Sequence, residues 1–167
     1  MKFETLCLHS DLNQKDEWGT LTTAICQSAT FVHKGVDIDN PYSYSRLSNP
    51  TRRHLETLVA KLEGGYDAYA FSSGMTAISV SMMLFKPGDH VIASNDLYGG
   101  ALRLFNNVNK ENGIEFDFVD TSNLDEVRKL VKKNTKLIYV ETPSNPIMQV
   151  TDIEEIAKIA HENNALL

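Results

Sequence analysis

Two serines and a glycine, Ser72, Ser73 and Gly74, stand immediately before a strongly apolar segment of the chain. The pattern predicts a short strand over residues 67–71, a turn, and a helix over residues 74–85. The first backbone N–H groups of a helix have no acceptor within it, and the helix dipole favours an anion beside them. We therefore expect a phosphate at the start of this helix, near Gly74. A Gly-Ser turn that only joins a strand to a helix is the alternative.

A phenol and a guanidinium lie two residues apart, at Tyr44 and Arg46, in a segment rich in turn-forming residues. Side chains two residues apart in an extended segment project to the same side. The guanidinium fork matches the oxygens of a phosphate dianion. The pair suits a phosphate, and a packed tyrosine beside a solvated arginine is the alternative.

Two more polar segments follow predicted strands, DLYGG at residues 96–100 and ETPSNP at residues 141–146. Tyr98 suits stacking on a flat ligand, and its hydroxyl can take part in proton transfer. Asn145 can donate a hydrogen bond to a ring oxygen or a carboxylate, and Glu141 can orient its neighbours. Each segment alone is also typical of an ordinary loop. Together the four segments offer a phosphate cradle, an aromatic plate and an amide donor, which match a flat phosphorylated ring.

The elements that must position these residues alternate along the chain. Apolar spacing predicts helices over residues 51–63, 74–85, 98–109, 123–133 and 152–164, with caps at Thr51, at Asn123, and at Thr151 or Asp152. Strands are predicted over residues 90–94, 115–120 and 136–142, and another begins at Ala165. This alternation predicts an α/β fold with a mostly parallel sheet and helices on both faces. The helix over 74–85 is apolar on nearly every side, so it is predicted to be buried.

Residues 1–50 show no sustained period, and we expect an extended arm that docks on another subunit or on a ligand. Residues 51–167 then form the regular domain.

Composition excludes several classes of function. A net charge of −6 argues against a nucleic-acid partner, and no apolar run is long enough for a membrane span. Cys7 and Cys26 are too few for a disulfide framework or a closed metal site. With no secretory signal pattern at the start of the sequence, a reduced cytoplasmic setting is expected.

The four segments, in this order and spacing, resemble the Cys/Met metabolism family of pyridoxal-phosphate (PLP) enzymes. They read Y-S-R-x-S-N-P-T from Tyr44, S-S-G-M from Ser72, D-x-Y-G-G from Asp96 and E-T-P-S-N-P from Glu141. The resemblance implies an aspartate-aminotransferase-like large domain and PLP as cofactor. It also implies a homo-oligomer built as a dimer of dimers, acting on sulfur-containing or O-acylated amino acids by elimination or replacement at the β or γ carbon.

The resemblance also implies roles for individual residues. Backbone N–H groups of Gly74 and Met75 would bind the cofactor phosphate, and Tyr98 would stack on the ring. Asn145 would contact the ring hydroxyl or the substrate carboxylate, with Glu141 in a supporting role. Tyr44 and Arg46 would reach the phosphate held by the neighbouring subunit.

Two departures accompany the resemblance. Residues 23–27 read TAICQ where many members have PPIYQ. The carboxylate that faces the ring nitrogen, the Schiff-base lysine and the C-terminal domain are expected beyond Leu167, so the large domain is expected to be incomplete and inactive alone. The alternative is a truncated, non-catalytic cofactor-binding or assembly module, and an unrelated nucleotide-binding α/β domain is a third.

Overall fold

A computed structural model describes residues 2–8, 19–36, 38 and 40–167 of the chain. They form two compact units, Met1–Phe71 and Ser72–Leu167. The parts of the predicted arm at residues 1, 9–18, 37 and 39 lie outside the described residues. The predicted division after residue 50 stays a prediction.

The first unit contains two helices, α1 (Phe3–Leu8) and α2 (Pro50–Leu62). The short helix α1 was not predicted within the arm, for which little regular structure of its own was expected. Glu4 in its first turn favours the helix through the helix dipole. The described residues between the two helices are irregular, with one antiparallel bridge between Thr30 and Tyr44.

Helix α2 begins one residue earlier than predicted. Its N-cap is Asn49, whose side-chain oxygen accepts the Thr51 N–H at 2.9 Å, so the predicted cap at Thr51 is wrong. The Thr51 hydroxyl oxygen instead accepts the Cys26 N–H at 2.8 Å. Pro50 fits the first helical position because no acceptor is needed for its nitrogen. Gly64, with φ at +65°, takes the left-handed conformation that ends the helix.

The strand predicted over residues 67–71 is absent. Carboxylates take the backbone donors that a sheet would have used: Asp67 accepts the Ala68 N–H at 2.9 Å, and Glu56 accepts the Ala70 N–H at 3.0 Å. Arg53 in turn donates to Asp67 at 2.8 Å. The bonds from Glu56 and Arg53 hold this segment on α2, and it forms no β-ladder hydrogen bonds.

The second unit is built on a parallel sheet of β1 (His90–Ser94), β2 (Glu115–Val119) and β3 (Thr135–Tyr139), in the order β2-β1-β3. Leu166 forms a parallel bridge with Leu137, and Ile138 donates to the Leu166 carbonyl at 2.8 Å. The strand predicted at residues 165–167 is therefore present as this bridge beside β3. Strands β2 and β3 end before the predicted residues 120 and 142.

Four helices surround the sheet. They are α3 (Gly74–Met82), α4 (Gly99–Leu104), which continues as a π-helix over Phe105–Asn109, α5 (Leu124–Leu130) and α6 (Ile153–Glu162). Asn123 caps α5 as predicted, and of the two candidates for α6 the cap is Asp152. Helix α5 stops short of the predicted residue 133 because Lys132 and Thr135 close a turn, in which Lys132 N–H donates to the Thr135 hydroxyl at 2.8 Å.

Side chains that alternate along β1 point into two separate cores. Ile92 packs with α5 and α6, whereas Val91 and Ala93 pack with α3 and α4. The predicted α/β class, parallel sheet and helices on both faces are confirmed. The predicted burial of α3 is wrong: Met82 is its only buried residue, and Val80 is 38% exposed. Within its unit α3 packs through one side only. Its apolar composition predicts burial but does not specify which neighbouring elements cover the helix.

Candidate active site

The carboxyl ends of the three parallel strands meet at one edge of the sheet, and buried hydroxyl groups connect them. The Ser94 and Thr121 hydroxyls lie 2.9 Å apart, and those of Thr121 and Thr151 lie 2.6 Å apart. The Thr151 N–H donates to the Thr142 hydroxyl at 2.9 Å. This chain of bonds ties the ends of β1 and β2 to the loop before α6. These hydrogen bonds therefore hold the segments that leave this edge of the sheet in position relative to one another.

Helix α3 presents backbone donors at its start. The Ser73 side chain caps the helix by accepting the Thr76 N–H at 3.1 Å. The N–H groups of Gly74 and Met75 have no acceptor among the described residues. A Cβ added at Gly74 would meet no described atom within 4 Å, so the backbone at Gly74 is accessible on that side. An anion can approach the backbone there.

The start of α3 lies beside the start of α4, although no strand precedes Ser72. The Met75 sulfur is 2.8 Å from the position that a Cβ on Gly100 would occupy. Gly100 is buried and directly follows the segment that leaves β1. This contact places the start of α3 close to the carboxyl end of β1. The sequence had instead predicted that α3 follows the carboxyl end of a strand over residues 67–71.

Tyr98 lies next to the same glycine. Its ring atom Cε1 is 2.5 Å from the position of a Cβ on Gly100, and the side chain is 56% exposed. The Tyr98 backbone N–H donates to Glu141 Oε2 at 2.8 Å. The structure thus brings together Met75, Tyr98 and Glu141, all of them site residues predicted from sequence.

Asn145 is exposed in the loop after β3. Its neighbour Ser144 is 1% exposed, and its hydroxyl donates to the Asp96 carboxylate. The Ser144 hydroxyl oxygen also accepts the Gln149 N–H at 3.0 Å. Sequence reasoning assigned no role to Ser144, Asp96 or Gly100, although each belongs to a segment that it had singled out.

Tyr44 and Arg46 belong to the first unit. The Arg46 guanidinium lies over the Tyr44 ring, 5.1 Å from its centre, so the two side chains are neighbours as predicted. The segment is a turn, however, because the Tyr44 carbonyl accepts the N–H groups of Leu47 at 2.9 Å and Ser48 at 3.0 Å. Arg46 is exposed and has no carboxylate partner among the described residues.

A buried polar cluster lies at the other end of the strands. His90 is fully buried, with Nδ1 2.8 Å from the Thr135 hydroxyl and Nε2 3.1 Å from the Asp117 carboxylate. Because the Asp117 carboxylate can only accept, Nε2 carries the proton of the neutral ring, and the Thr135 hydroxyl donates to Nδ1. Burial, with the Lys132 charge, lowers the pKa of His90. A hydrogen bond from Lys132 lowers the pKa of Asp117.

The described residues contain no group of three or more side chains that could hold a metal ion, and no helix there is long and apolar enough to cross a membrane. The segments that leave β1, β2 and β3, residues 95–98, 120–123 and 140–152, contain no lysine. The donors available at this edge are therefore backbone N–H groups, hydroxyls and amides.

The chain is similar to known proteins over its whole length. The sequence profile of the family described as Cys/Met metabolism PLP-dependent enzyme matches residues 4–167. Cystathionine gamma-lyase of Bacillus subtilis is 45% identical over 167 residues, which are 100% of this chain and 44% of that protein. Cystathionine beta-lyase of Lactococcus lactis subsp. cremoris is 44% identical over 163 residues, 98% of this chain and 43% of that protein.

The fold is also found in a solved structure. The crystal structure of cystathionine gamma-lyase from Lactobacillus plantarum complexed with L-serine matches with a TM-score of 0.92 and 42% identity, covering 99% of this chain and 43% of that one. The chain thus spans less than half the length of the relatives it matches. Since the family profile covers nearly all of its residues, the chain belongs to the Cys/Met metabolism family of PLP-dependent enzymes.

Proposed function

We propose that this chain supplies the phosphate- and ring-binding edge of a PLP-dependent enzyme that performs elimination or replacement at the β or γ carbon of sulfur-containing or O-acylated amino acids. One observation carries the proposal. The unpaired N–H groups of Gly74 and Met75 begin α3, and the Met75 sulfur and the exposed Tyr98 ring both lie against Gly100.

The residues present fit the cofactor. A phosphate needs donors at a helix start and room to approach them, and α3 offers both at Gly74. A flat ring needs an aromatic face, and more than half of the Tyr98 side chain is exposed, at 56%. No acidic side chain accepts a hydrogen bond from Gly74 or Met75 among the described residues, so both donors are available to an anion.

Each residue then has a defined task. Gly74 and Met75 bind the phosphate through the backbone, and Tyr98 stacks on the ring. Bound PLP supplies an electron-withdrawing ring that stabilises negative charge at the substrate Cα. The Tyr98 hydroxyl would exchange a proton with the bound amino acid. Asn145 donates from its side-chain amide to the ring hydroxyl or to the substrate carboxylate.

We assign Tyr44 and Arg46 to the phosphate of a neighbouring subunit, in a cytoplasmic homo-oligomer arranged as a dimer of dimers. The exposed guanidinium, stacked on Tyr44 and without a carboxylate partner among the described residues, supports this assignment. A stacked, preorganised guanidinium loses little conformational freedom when it binds a phosphate.

A second candidate is a cofactor-binding or assembly module without turnover. The absence of lysine from residues 95–98, 120–123 and 140–152 favours it, because covalent attachment of the cofactor needs a lysine amine at this edge. The two candidates share the same binding site and differ in whether the 167-residue polypeptide turns over an amino acid.

Binding of pyridoxine 5′-phosphate tests the shared site, since this analogue has no aldehyde and cannot attach to a surface lysine. The Gly74→Ala change keeps the backbone N–H but puts a methyl group in the open space at the start of α3, where the phosphate would approach. It should therefore weaken binding of pyridoxine 5′-phosphate and of inorganic phosphate alike, by about tenfold, the cost of lengthening or losing one charge-assisted hydrogen bond. The fold should be unaffected, because no described atom lies within 4 Å of the added methyl group.

The matched control is Gly99→Ala, whose methyl group meets only Arg103 at 3.8 Å. Tyr98→Leu should weaken the analogue and leave inorganic phosphate unchanged, since phosphate has no ring to stack. Equal affinities for the analogue in the wild-type chain and in Gly74→Ala would contradict the proposed phosphate site.

A further inference from the structure

The backbone N–H of Tyr98, in the loop between β1 and α4, forms its hydrogen bond outside that loop. Tyr98 precedes α4 as its N-cap residue, with φ at −46° and ψ at 125°, and makes no side-chain cap. The Tyr98 N–H therefore needs an acceptor from elsewhere in the chain. The orientation of an exposed ring depends on its backbone, so whatever accepts this N–H also sets the direction of the ring.

The acceptor comes from the loop after β3. Strands β1 and β3 are adjacent and parallel, with Ala93 opposite Tyr139, so their following loops leave the sheet side by side. Glu141 Oε2 accepts the Tyr98 N–H at 2.8 Å, across 43 residues of sequence. A charged acceptor makes this a stronger bond than one between neutral groups.

A second tie joins the same two loops. The Ser144 hydroxyl, buried at 1% exposure, donates to the Asp96 carboxylate. Ser144 is itself held by Gln149, which accepts the Ser144 N–H at 3.0 Å and donates its own N–H to the Ser144 hydroxyl oxygen at 3.0 Å. The loop after β3 is thus held by its own hydrogen bonds, and it in turn holds the loop after β1 through Asp96.

We infer that Glu141 and Ser144 are positioning residues that hold the backbone of the Tyr98 loop, so that the ring faces the ligand bound at Gly74. Neither residue needs to touch the ligand. The inference rests on the proposed function, because it gives Tyr98 the role of the stacking ring. Beyond that function, we assign the orientation of the Tyr98 ring to two hydrogen bonds between the loops, Tyr98 to Glu141 and Ser144 to Asp96.

The experiment uses the full 167-residue chain and two readouts. Amide hydrogen exchange, followed residue by residue by NMR, reports on the Tyr98 N–H without any ligand. Calorimetry gives the Kd for pyridoxine 5′-phosphate and for inorganic phosphate. The variants are Glu141→Leu, Glu141→Gln, Ser144→Ala and Tyr98→Leu. The control is Glu162→Leu at the end of α6, whose carboxylate has no donor among the described residues.

Glu141→Leu should speed exchange of the Tyr98 amide by about tenfold, as expected for the loss of one hydrogen bond to a charged group. Glu141→Gln should recover most of the protection, because its amide oxygen still accepts. Glu141→Leu and Ser144→Ala should each raise the Kd for pyridoxine 5′-phosphate severalfold and leave that for inorganic phosphate unchanged. In the Tyr98→Leu background, Glu141→Leu should have no further effect on the Kd.

Three results would overturn the inference. One is an unchanged Tyr98 exchange rate in Glu141→Leu. Another is an unchanged Kd for the analogue in Glu141→Leu while Tyr98→Leu weakens it. The third is additive losses in the double variant, which indicate that Glu141 acts on its own. The proposed function fails separately if Tyr98→Leu leaves the analogue Kd unchanged even though Glu141→Leu frees the Tyr98 amide.

Discussion

The substitution Gly100→Ala tests what fixes the position of the Tyr98 ring. A methyl group added by Gly100→Ala would lie 2.5 Å from Tyr98 Cε1 and 2.8 Å from the Met75 sulfur. Carbon atoms in contact are about 3.5–4.0 Å apart, so the tyrosine ring must move by roughly 1 Å or more. The ring can move outward because its side chain is 56% exposed.

The expected effects on stability and on binding differ. Alanine in a helix is favoured over glycine by about 1 kcal/mol, and overpacking costs about 1–3 kcal/mol before the flexible side chains relax. These effects largely cancel, so the free energy of unfolding should change by no more than about 2 kcal/mol. Displacement of the ring should remove its stacking, about 0.5–1.5 kcal/mol, or roughly a two- to twelvefold rise in Kd for pyridoxine 5′-phosphate.

Urea unfolding and calorimetry on the same preparations measure both quantities. Gly99→Ala is the matched control, since it places the same methyl group one residue earlier in the same helix with only Arg103 near it, at 3.8 Å. Inorganic phosphate should bind equally to both variants. Equal Kd values for pyridoxine 5′-phosphate in Gly100→Ala and Gly99→Ala would refute the reasoning, as would a loss of phosphate affinity in Gly100→Ala alone.

The remaining predictions concern pH, the subunit boundary and turnover. The folded-state pKa of His90 lies below the ordinary 6.5, so the unfolded chain binds this proton more tightly and the unfolding free energy should fall as pH drops below 6.5 towards the folded pKa. Urea unfolding should show that this slope is lost in His90→Gln and kept in the control His161→Gln; an unchanged slope in His90→Gln would contradict it. If Arg46 acts across a subunit boundary, a mixture of Arg46→Ala and Gly74→Ala chains should bind pyridoxine 5′-phosphate more tightly than either variant alone, whereas the mean of the two would count against it. The 167-residue polypeptide with PLP should release no keto acid from cystathionine above the free-cofactor rate, and turnover that survives dialysis would disprove this.

Much of the fold follows from local patterns. The short apolar run within His90–Ser94 and the caps at Asn123 and Asp152 are properties of a few neighbouring residues, and the structure has them where the sequence predicts them. The predicted strand at residues 67–71 fails because carboxylates of Glu56 and Asp67 take its backbone donors. Its residue types suited a strand, but the competing acceptor on α2 lay outside the local pattern.

In the candidate site, too, some features follow from the sequence and others only from the tertiary structure. The sequence alone determined the residue types, their order and the family resemblance, and it placed Tyr98, Glu141 and Asn145 at the carboxyl ends of strands because strand patterns are local. Only the tertiary structure decided that Glu141 accepts the Tyr98 N–H, that Ser144 holds Asp96, and that Gly100 seats the tyrosine ring. Those contacts depend on β3 lying next to β1, and strand order is set by packing across the whole sheet, which spacing within a segment does not encode.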